Sequence, residues 1–385
     1  MNALLTPFDD IRPFEPEELP EVYDRLLANP KFHAVVNFLY PHAPIEAVAQ
    51  KMRACKTNLD FQLAFCYDFI KGVLAKAARG YEMDCTAIDV NGRYTFVSNH
   101  RDIVLDPGIL DVLLMDAGFT TTCEIAIGDN LLSLPWVKDL ARVNKSFIVK
   151  RGLPLREMLM ASKQMSEYMH LAVTEKQENV WIAQRSGRAK DSDDRTSEAV
   201  LKMMVMGGKG TIVERLKELR IVPLSISYEY DPCDFLKAQE FQQKRDIPNW
   251  KKGEDDDLVS MQTGIFGFKG HVHYHCAPCL NDFLDSLPAD MPKDRLFAEV
   301  AARIDREIHR NYKLYPSNYV ALDELRGKTE HADKYTEADK KFFDKYVEGQ
   351  LAKVQIEGPD MPYLRECILR MYANPAINYM AATSE

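Results

Sequence analysis

Hydrophobic and polar positions along the chain fall into two textures. From about residue 16 to 80, apolar residues recur at the 3.6-residue spacing of amphipathic helices. Pro16 with Glu17 and Glu18 opens one helix, and Pro30 and Pro41 punctuate the next two. A longer helical stretch from Pro44 to about Ala78 carries Met52, Leu59, Leu63, Phe65, Phe69, Val73 and Leu74, with Gly80 as its expected stop. Beyond about residue 84, short β-type runs take over. Strands are predicted at 94–98, 122–127, 146–150, 180–183, 222–228 and 270–275, and helix-length patterns lie between most of them, at 107–116, 134–143, 154–174, 197–206 and 232–244. Strands alternating with helices predict an α/β fold, a layered mixed sheet flanked by helices, over residues 83–292. An N-terminal helical bundle (1–82) precedes it. A helical C-terminal extension (293–385) follows, broken by the turn region from Tyr315 to Tyr319.

Composition adds constraints. The 385 residues, 46% hydrophobic and 28% charged, are enough for a sizeable core without disulfides or metals. A net charge of -9 argues against a whole-protein affinity for nucleic acid. The N-terminus is acidic and proline-broken, unlike a signal peptide, and no run of about 18 apolar residues predicts a transmembrane helix. Several of the 8 cysteines (Cys55, Cys66, Cys123, Cys367) fall inside apolar patterns and read as small buried hydrophobes in a reducing, cytoplasmic setting. The acidic run from Glu254 to Asp257 reads as a solvated loop.

The segment from Phe96 to Pro107 carries the most chemistry. An apolar strand runs into Asn99-His100, then Asp102 and Asp106, then a proline suited to the first turn of a helix. Strand ends in α/β sheets are where ligands meet catalytic groups. A histidine there serves as a base near neutral pH, and a carboxylate nearby fixes its tautomer; the bland alternative is a loop histidine that caps a helix. His100-Arg101-Asp102 imitates a protein-kinase catalytic loop, but the required asparagine five residues on is Pro107, and no glycine-rich nucleotide loop or Asp-Phe-Gly is present.

These residues resemble the first block of the glycerolipid acyltransferases, a strand ending in Asn-His or His-Arg followed by an aspartate and a leucine-rich run. Here the run is Ile109 to Leu114, and Asp106 lies six residues after His100, one more than in the family pattern. Further blocks follow in order. The segment from Ile125 to Trp136 resembles the strand and loop before the second block, and Lys145 to Arg151 resembles the block itself. Val180 to Lys190 resembles the third block, with Ser186 where the family carries glutamate if Gly187 and Arg188 hold its glycine and arginine. An alternative register sets the family's Arg-Ser on Arg185-Ser186. Ile221 to Tyr228 resembles the fourth block, and Lys269 to His275 a later strand.

The resemblance implies acyl transfer to glycerol 3-phosphate or lysophosphatidic acid in phospholipid synthesis. His100 is then the general base, oriented by Asp106 or Asp102, and Lys150, Arg151, Arg185, Ser186, Gly187 and Arg188 bind the acceptor phosphate. It implies no metal and no cofactor beyond the co-substrate, an acyl-CoA or acyl carrier protein thioester. It also implies a membrane-surface partner, hence peripheral attachment to the inner face of the cytoplasmic membrane. Independently of the resemblance, Lys138, Arg142, Lys145, Lys150, Arg151 and Arg156 form a local positive excess in an acidic chain, and Arg185, Arg188, Lys190 and Arg195 form a second. Guanidinium forks suit phosphate. Two rivals remain. His271, His273 and His275 share one strand face and precede Cys276 and Cys279, which admits a zinc-dependent hydrolase; adjacent same-face strand residues, about 6–7 Å apart, hardly converge on one ion. The shifted histidine–aspartate spacing and Ser186 admit a non-catalytic scaffold that binds lipid or acyl carrier protein.

Overall fold

The computed structural model describes residues 4–40, 43–253 and 255–384. Pro41 and Glu254, read above as a helix punctuation and the start of an acidic loop, lie outside the described residues. Near the N-terminus are α1 (Leu19–Leu27), α2 (Pro30–Leu39), α3 (Ile45–Ala54), α4 (Asn58–Phe61) and α5 (Asp68–Ala77). Asn29 caps α2, accepting the N–H groups of Lys31 and Phe32, with Pro30 in the first turn. The long helix expected from Pro44 to Ala78 is broken. Thr57 and Asp60 form a reciprocal capping box that starts a new helix, and a π-helical turn over Gln62–Tyr67 separates α4 from α5. Gln62 is thereby buried. Its amide donates to Asp111 at 3.2 Å and its carbonyl accepts the Thr122 hydroxyl.

The sheet has seven strands: β1 (Ala78–Asp84), β2 (Thr95–Ser98), β3 (Cys123–Gly128), β4 (Ser146–Val149), β5 (Asn179–Ala183), β6 (Ile221–Tyr228) and β7 (Gly270–Cys276). Their order is β1-β7-β6-β2-β5-β3-β4, all neighbours parallel except β6 and β7. The fold is therefore the expected layered α/β arrangement with a mixed sheet. Six strands coincide with predicted runs to within a residue or so. β1 was hidden because it is a half-exposed edge strand, Ala-Arg-Gly-Tyr-Glu-Met-Asp, without a buried apolar face.

Between the strands run α6 (Leu105–Asp116), α7 (Pro135–Val143), α8 (Leu155–Thr174), α9 (Glu198–Met204), α10 (Ile212–Glu218), α11 (Asp234–Asp246), α12 (Asp256–Phe266) and α13 (Asn281–Asp285). After the sheet come α14 (Lys293–Arg310), α15 (Pro316–Arg326), α16 (Glu337–Leu351) and α17 (Met361–Thr383). The alternation of β2 separates two cores. Val97 faces a cluster with Phe147, Met169 and Leu201 from one side and Phe297, Val300 and Ile304 of α14. Phe96 faces the opposite cluster with Leu74, Ile109, Leu110 and Leu114. β6 is buried along its whole length, as expected of a strand covered on both faces. The C-terminal helices have their own core around Phe343, Ile368 and Tyr372, and the N-terminal helices pack Leu26, Phe32 and Met52 beside Trp136 and Val143 of α7.

Asp111 is the exception inside α6. Burial raises its pKa to about 7; the Cys123 N–H and Lys145 pull the other way, and the Glu178 charge adds to the rise. The folded value exceeds the unfolded one near 3.9, so folding binds this proton, and that share of stability is lost as pH rises from about 4 to about 7. Urea unfolding across this window is expected to show a falling stability that Asp111→Asn flattens.

Candidate functional site

β2 ends in the middle of the sheet, between β5 and β6, and the chain leaves it through Asn99. This side chain is buried and imitates a strand residue: Nδ2 donates to the Ile226 carbonyl at 2.8 Å and Oδ1 accepts the Ile226 N–H at 2.8 Å. The Ser98 hydroxyl donates to the Asn99 carbonyl at 2.7 Å and accepts the Trp181 indole N–H at 3.0 Å. The Trp181 ring meets His100 edge-on, with centroids 5.4 Å apart. The backbone just before His100 is thus held from both neighbouring strands.

His100 Nδ1 lies 2.7 Å from Asp106 Oδ2. The same oxygen accepts the N–H groups of Arg101, at 2.5 Å, and Asp102, at 3.0 Å. Asp106 stands in the first turn of α6, where the helix dipole favours negative charge, and is fully buried. With Asp106 ionised, Nδ1 carries the proton and Nε2 presents a lone pair. Asp106 Oδ1 is buried without a hydrogen-bond partner among the described residues.

Asp102 has another task. Its Oδ1 accepts the N–H groups of Val104, at 2.9 Å, and Leu105, at 2.7 Å, closing the turn that starts α6. Burial, and after it the Asp106 charge, push the Asp102 pKa up. Its carboxylate rests against Gly264 of α12, where a Cβ would sit 1.8 Å from Oδ2, so only glycine lets α12 pass this closely.

Arg101 turns away from His100 and forks onto Asp194, with bonds of 3.0 and 2.6 Å. Both are buried, at 6% and 1% side-chain exposure. Burial opposes the Arg101 charge, but Asp194 and Tyr312 outweigh it and raise its pKa. The Tyr312 hydroxyl donates to Asp194, and His309 Nε2 donates to the Asp194 carbonyl at 2.7 Å. Lys237 of α11 donates to the Arg101 carbonyl at 3.2 Å and pairs with Asp231 just past β6. The loop bearing His100 is therefore clamped by α11 and by the C-terminal helices.

The other sequence-selected residues divide. Arg151 donates to the Ser186 hydroxyl and, through its N–H, to Asp129 at 3.1 Å, which joins the second block to the third. Lys150 instead pairs with Asp10 of the N-terminal segment. Arg185 is half-buried just past β5, and Ser186 and Gly187 are exposed. Gly187 has φ of +75°, a turn conformation that glycine adopts without strain. Arg188 is close enough to Asp102 to pull its pKa down, and its buried Nη1 has no partner among the described residues. His273 lies 3.1 Å from Glu82 and His275 3.6 Å from Asp84, both on the neighbouring edge strand, while Cys276 is buried on the opposite face of β7. Among the described residues no three His, Cys, Asp or Glu side chains are grouped to hold a metal ion.

Sequence reasoning missed Asp194, Lys237 and Gly264. Asp231, at the end of β6, could have been flagged by the strand-end rule. The others lie roughly 90 to 160 residues from His100 and carry no local signal.

Residues 82–227 match the family model described as Acyltransferase, a span that holds the blocks from His100 to Ser227. No curated protein matches the chain. Among solved structures, the chain is similar to the 1-acyl-sn-glycerophosphate (LPA) acyltransferase PlsC from Thermotoga maritima, at 12% identity and a TM-score of 0.36, covering 75% of this chain and 95% of that one.

Truncating Arg101 strands a buried carboxylate. Arg101→Met is expected to lower the unfolding free energy by about 3–5 kcal/mol, and Arg101→Met/Asp194→Leu to recover a large part of it, as measured by denaturant titration.

Proposed function

Because residues 82–227 match the Acyltransferase family model, we propose that this protein moves a fatty acyl group from a thioester to the hydroxyl of glycerol 3-phosphate or lysophosphatidic acid, with His100 as general base. The observation that carries the reading is the His100 Nδ1–Asp106 pair at 2.7 Å, which leaves Nε2 without a partner among the described residues, at the end of a central strand. The acceptor hydroxyl gives its proton to Nε2 as its oxygen bonds to the thioester carbonyl carbon. The carbon–sulfur bond then breaks, and the proton passes from Nε2 to the departing thiolate. Asp106 holds the tautomer and stabilises the imidazolium between these steps. No covalent acyl-enzyme and no metal enters this scheme, and the thioester of coenzyme A or acyl carrier protein is its only co-substrate.

Arg151, Arg185 and Arg188, with Ser186 and the Gly187 turn, hold the acceptor phosphate in this reading. Binding energy spent on the phosphate then aligns the hydroxyl with His100. Lys150, paired with Asp10, takes no part in it. A lipid acceptor or product places the work at a membrane surface, on the cytoplasmic side by the sequence reading. The exposed Leu155, Met158, Leu159 and Met160 at the start of α8 suit an interface. Among the described residues no helix is long and apolar enough to cross a membrane.

The test is thiol release from an acyl thioester with glycerol 3-phosphate or lysophosphatidic acid as acceptor. His100→Ala is expected to lower kcat by about 10²–10⁴-fold, and undiminished transfer would overturn the mechanism. Asp106→Asn is expected to lose most of the activity through the wrong tautomer. Asp102→Asn should retain more of it and lose thermal stability instead.

A further inference from the structure

A second cationic cluster lies beyond the phosphate-binding arginines, and most of it falls outside residues 82–227. Lys190 and Lys244 both contact Oε1 of Glu240, the latter at 2.7 Å. One nearly buried carboxylate between two ammonium groups leaves positive charge uncompensated. Lys237 and Arg188 stand on the side of His100: Lys237 touches the Arg101 carbonyl, and Arg188 has a buried, unpartnered Nη1. Lys252 stands on the outer side, paired with Asp257. Burial, then Lys252, Lys244, Arg188 and Lys237, push the Lys190 pKa down to about 7, so these charges lie within electrostatic reach of one another. Four lysines here, Lys190, Lys237, Lys244 and Lys252, face the three carboxylates Glu240, Asp231 and Asp257. The Lys244 ammonium also lies over the Trp250 ring, 5.9 Å from its centroid, in the Trp250-Lys251-Lys252 loop between α11 and α12.

We propose that Lys190, Lys244 and Lys252 bind the phosphates of a nucleotide-bearing acyl donor, a coenzyme A thioester, with Trp250 receiving the base; this rests on the acyl-transfer reading above. The cations are gathered around one carboxylate rather than spread as a stripe. Lys190 is only 18% exposed, which fits a compact polyphosphate and not the broad face of an acidic carrier protein. An indole beside lysines supplies a stacking surface for a purine. The cluster also continues inward: Lys237 donates to the carbonyl of the residue after His100, which sets the nucleotide site beside the loop that carries the base. The acceptor phosphate is assigned to Arg151, Arg185 and Arg188 and the donor phosphates to Lys190, Lys244 and Lys252, so no residue is asked to hold both anions.

The test uses the full chain and two exposed lysines outside the catalytic loop. In Lys244→Glu/Lys252→Glu, KM for the acyl-coenzyme A thioester is expected to rise by about tenfold or more, equivalent to about 1.4 kcal/mol. The values of kcat and acceptor KM should stay the same. With the same acyl group on pantetheine, which lacks the nucleotide, variant and wild type should be equal. Titration of coenzyme A alone, followed by tryptophan fluorescence, should give weaker binding in this variant and a lost signal change in Trp250→Ala. Unchanged KM and unchanged coenzyme A binding would overturn the proposal. So would an equal loss with the pantetheine thioester, or a wild type that accepts only acyl carrier protein thioesters and is impaired on them by the variant. The titration needs no turnover. Coenzyme A binding that the variant weakens, without transfer from any thioester, would therefore sink the acyl-transfer reading and leave the nucleotide site standing.

Discussion

One oxygen organises the centre of this protein. Asp106 Oδ2 gathers the His100 imidazole and the backbone N–H groups of Arg101 and Asp102, so a single carboxylate fixes both the ring and the loop that carries it. Three donors and the first turn of α6 compensate its buried charge. The arrangement works only if the strand before it and the helix after it are both rigid. Asn99, paired to β6 in place of backbone, supplies the first condition, and Asp102, closing the turn into α6, supplies the second. Tyr274 of β7 adds a further tie by donating to the Asp106 carbonyl at 3.0 Å.

Around this centre the molecule spends buried charge on geometry. Arg101–Asp194 and Lys237–Asp231 are ion pairs in the interior, and such pairs return little net stability once desolvation is counted. Their value is directional: each has a fixed set of partners, and each reaches the backbone or side chain of the residue after His100. Through Asp194 the loop is joined to His309 and Tyr312, and the C-terminal helices become part of the scaffold of the site. Gly264 completes the enclosure by letting α12 lie directly on Asp102.

The proposed reaction divides labour between two groups of residues. Arg151 and Ser186 join two strand-end loops on the β4–β5 side of β2. The lysines around Glu240 belong to α11, the loop after it and the end of the third block. In the proposed reaction the acceptor phosphate and the donor nucleotide then have separate recognition.

Periodicity alone determined the α/β class, six of the seven strands and the placement of His100 at a strand end, because buried strands and amphipathic helices leave local patterns of apolar residues. The order of the blocks determined the resemblance that the Acyltransferase match then met. Only the tertiary structure decided which aspartate faces His100. In sequence only the resemblance favours Asp106 over Asp102, and their separate roles arise from a turn that aims Asp106 at the ring and Asp102 at the first N–H groups of the helix. The edge strand β1 and the break at Thr57 were also decided there, since half-exposed strands and caps depend on neighbours more than on pattern. Asp194, Lys237 and Gly264 join the site by long-range packing, and Lys150 leaves the company of Arg151 for Asp10. No periodicity encodes such contacts, because they join residues whose separation along the chain bears no relation to their distance in space.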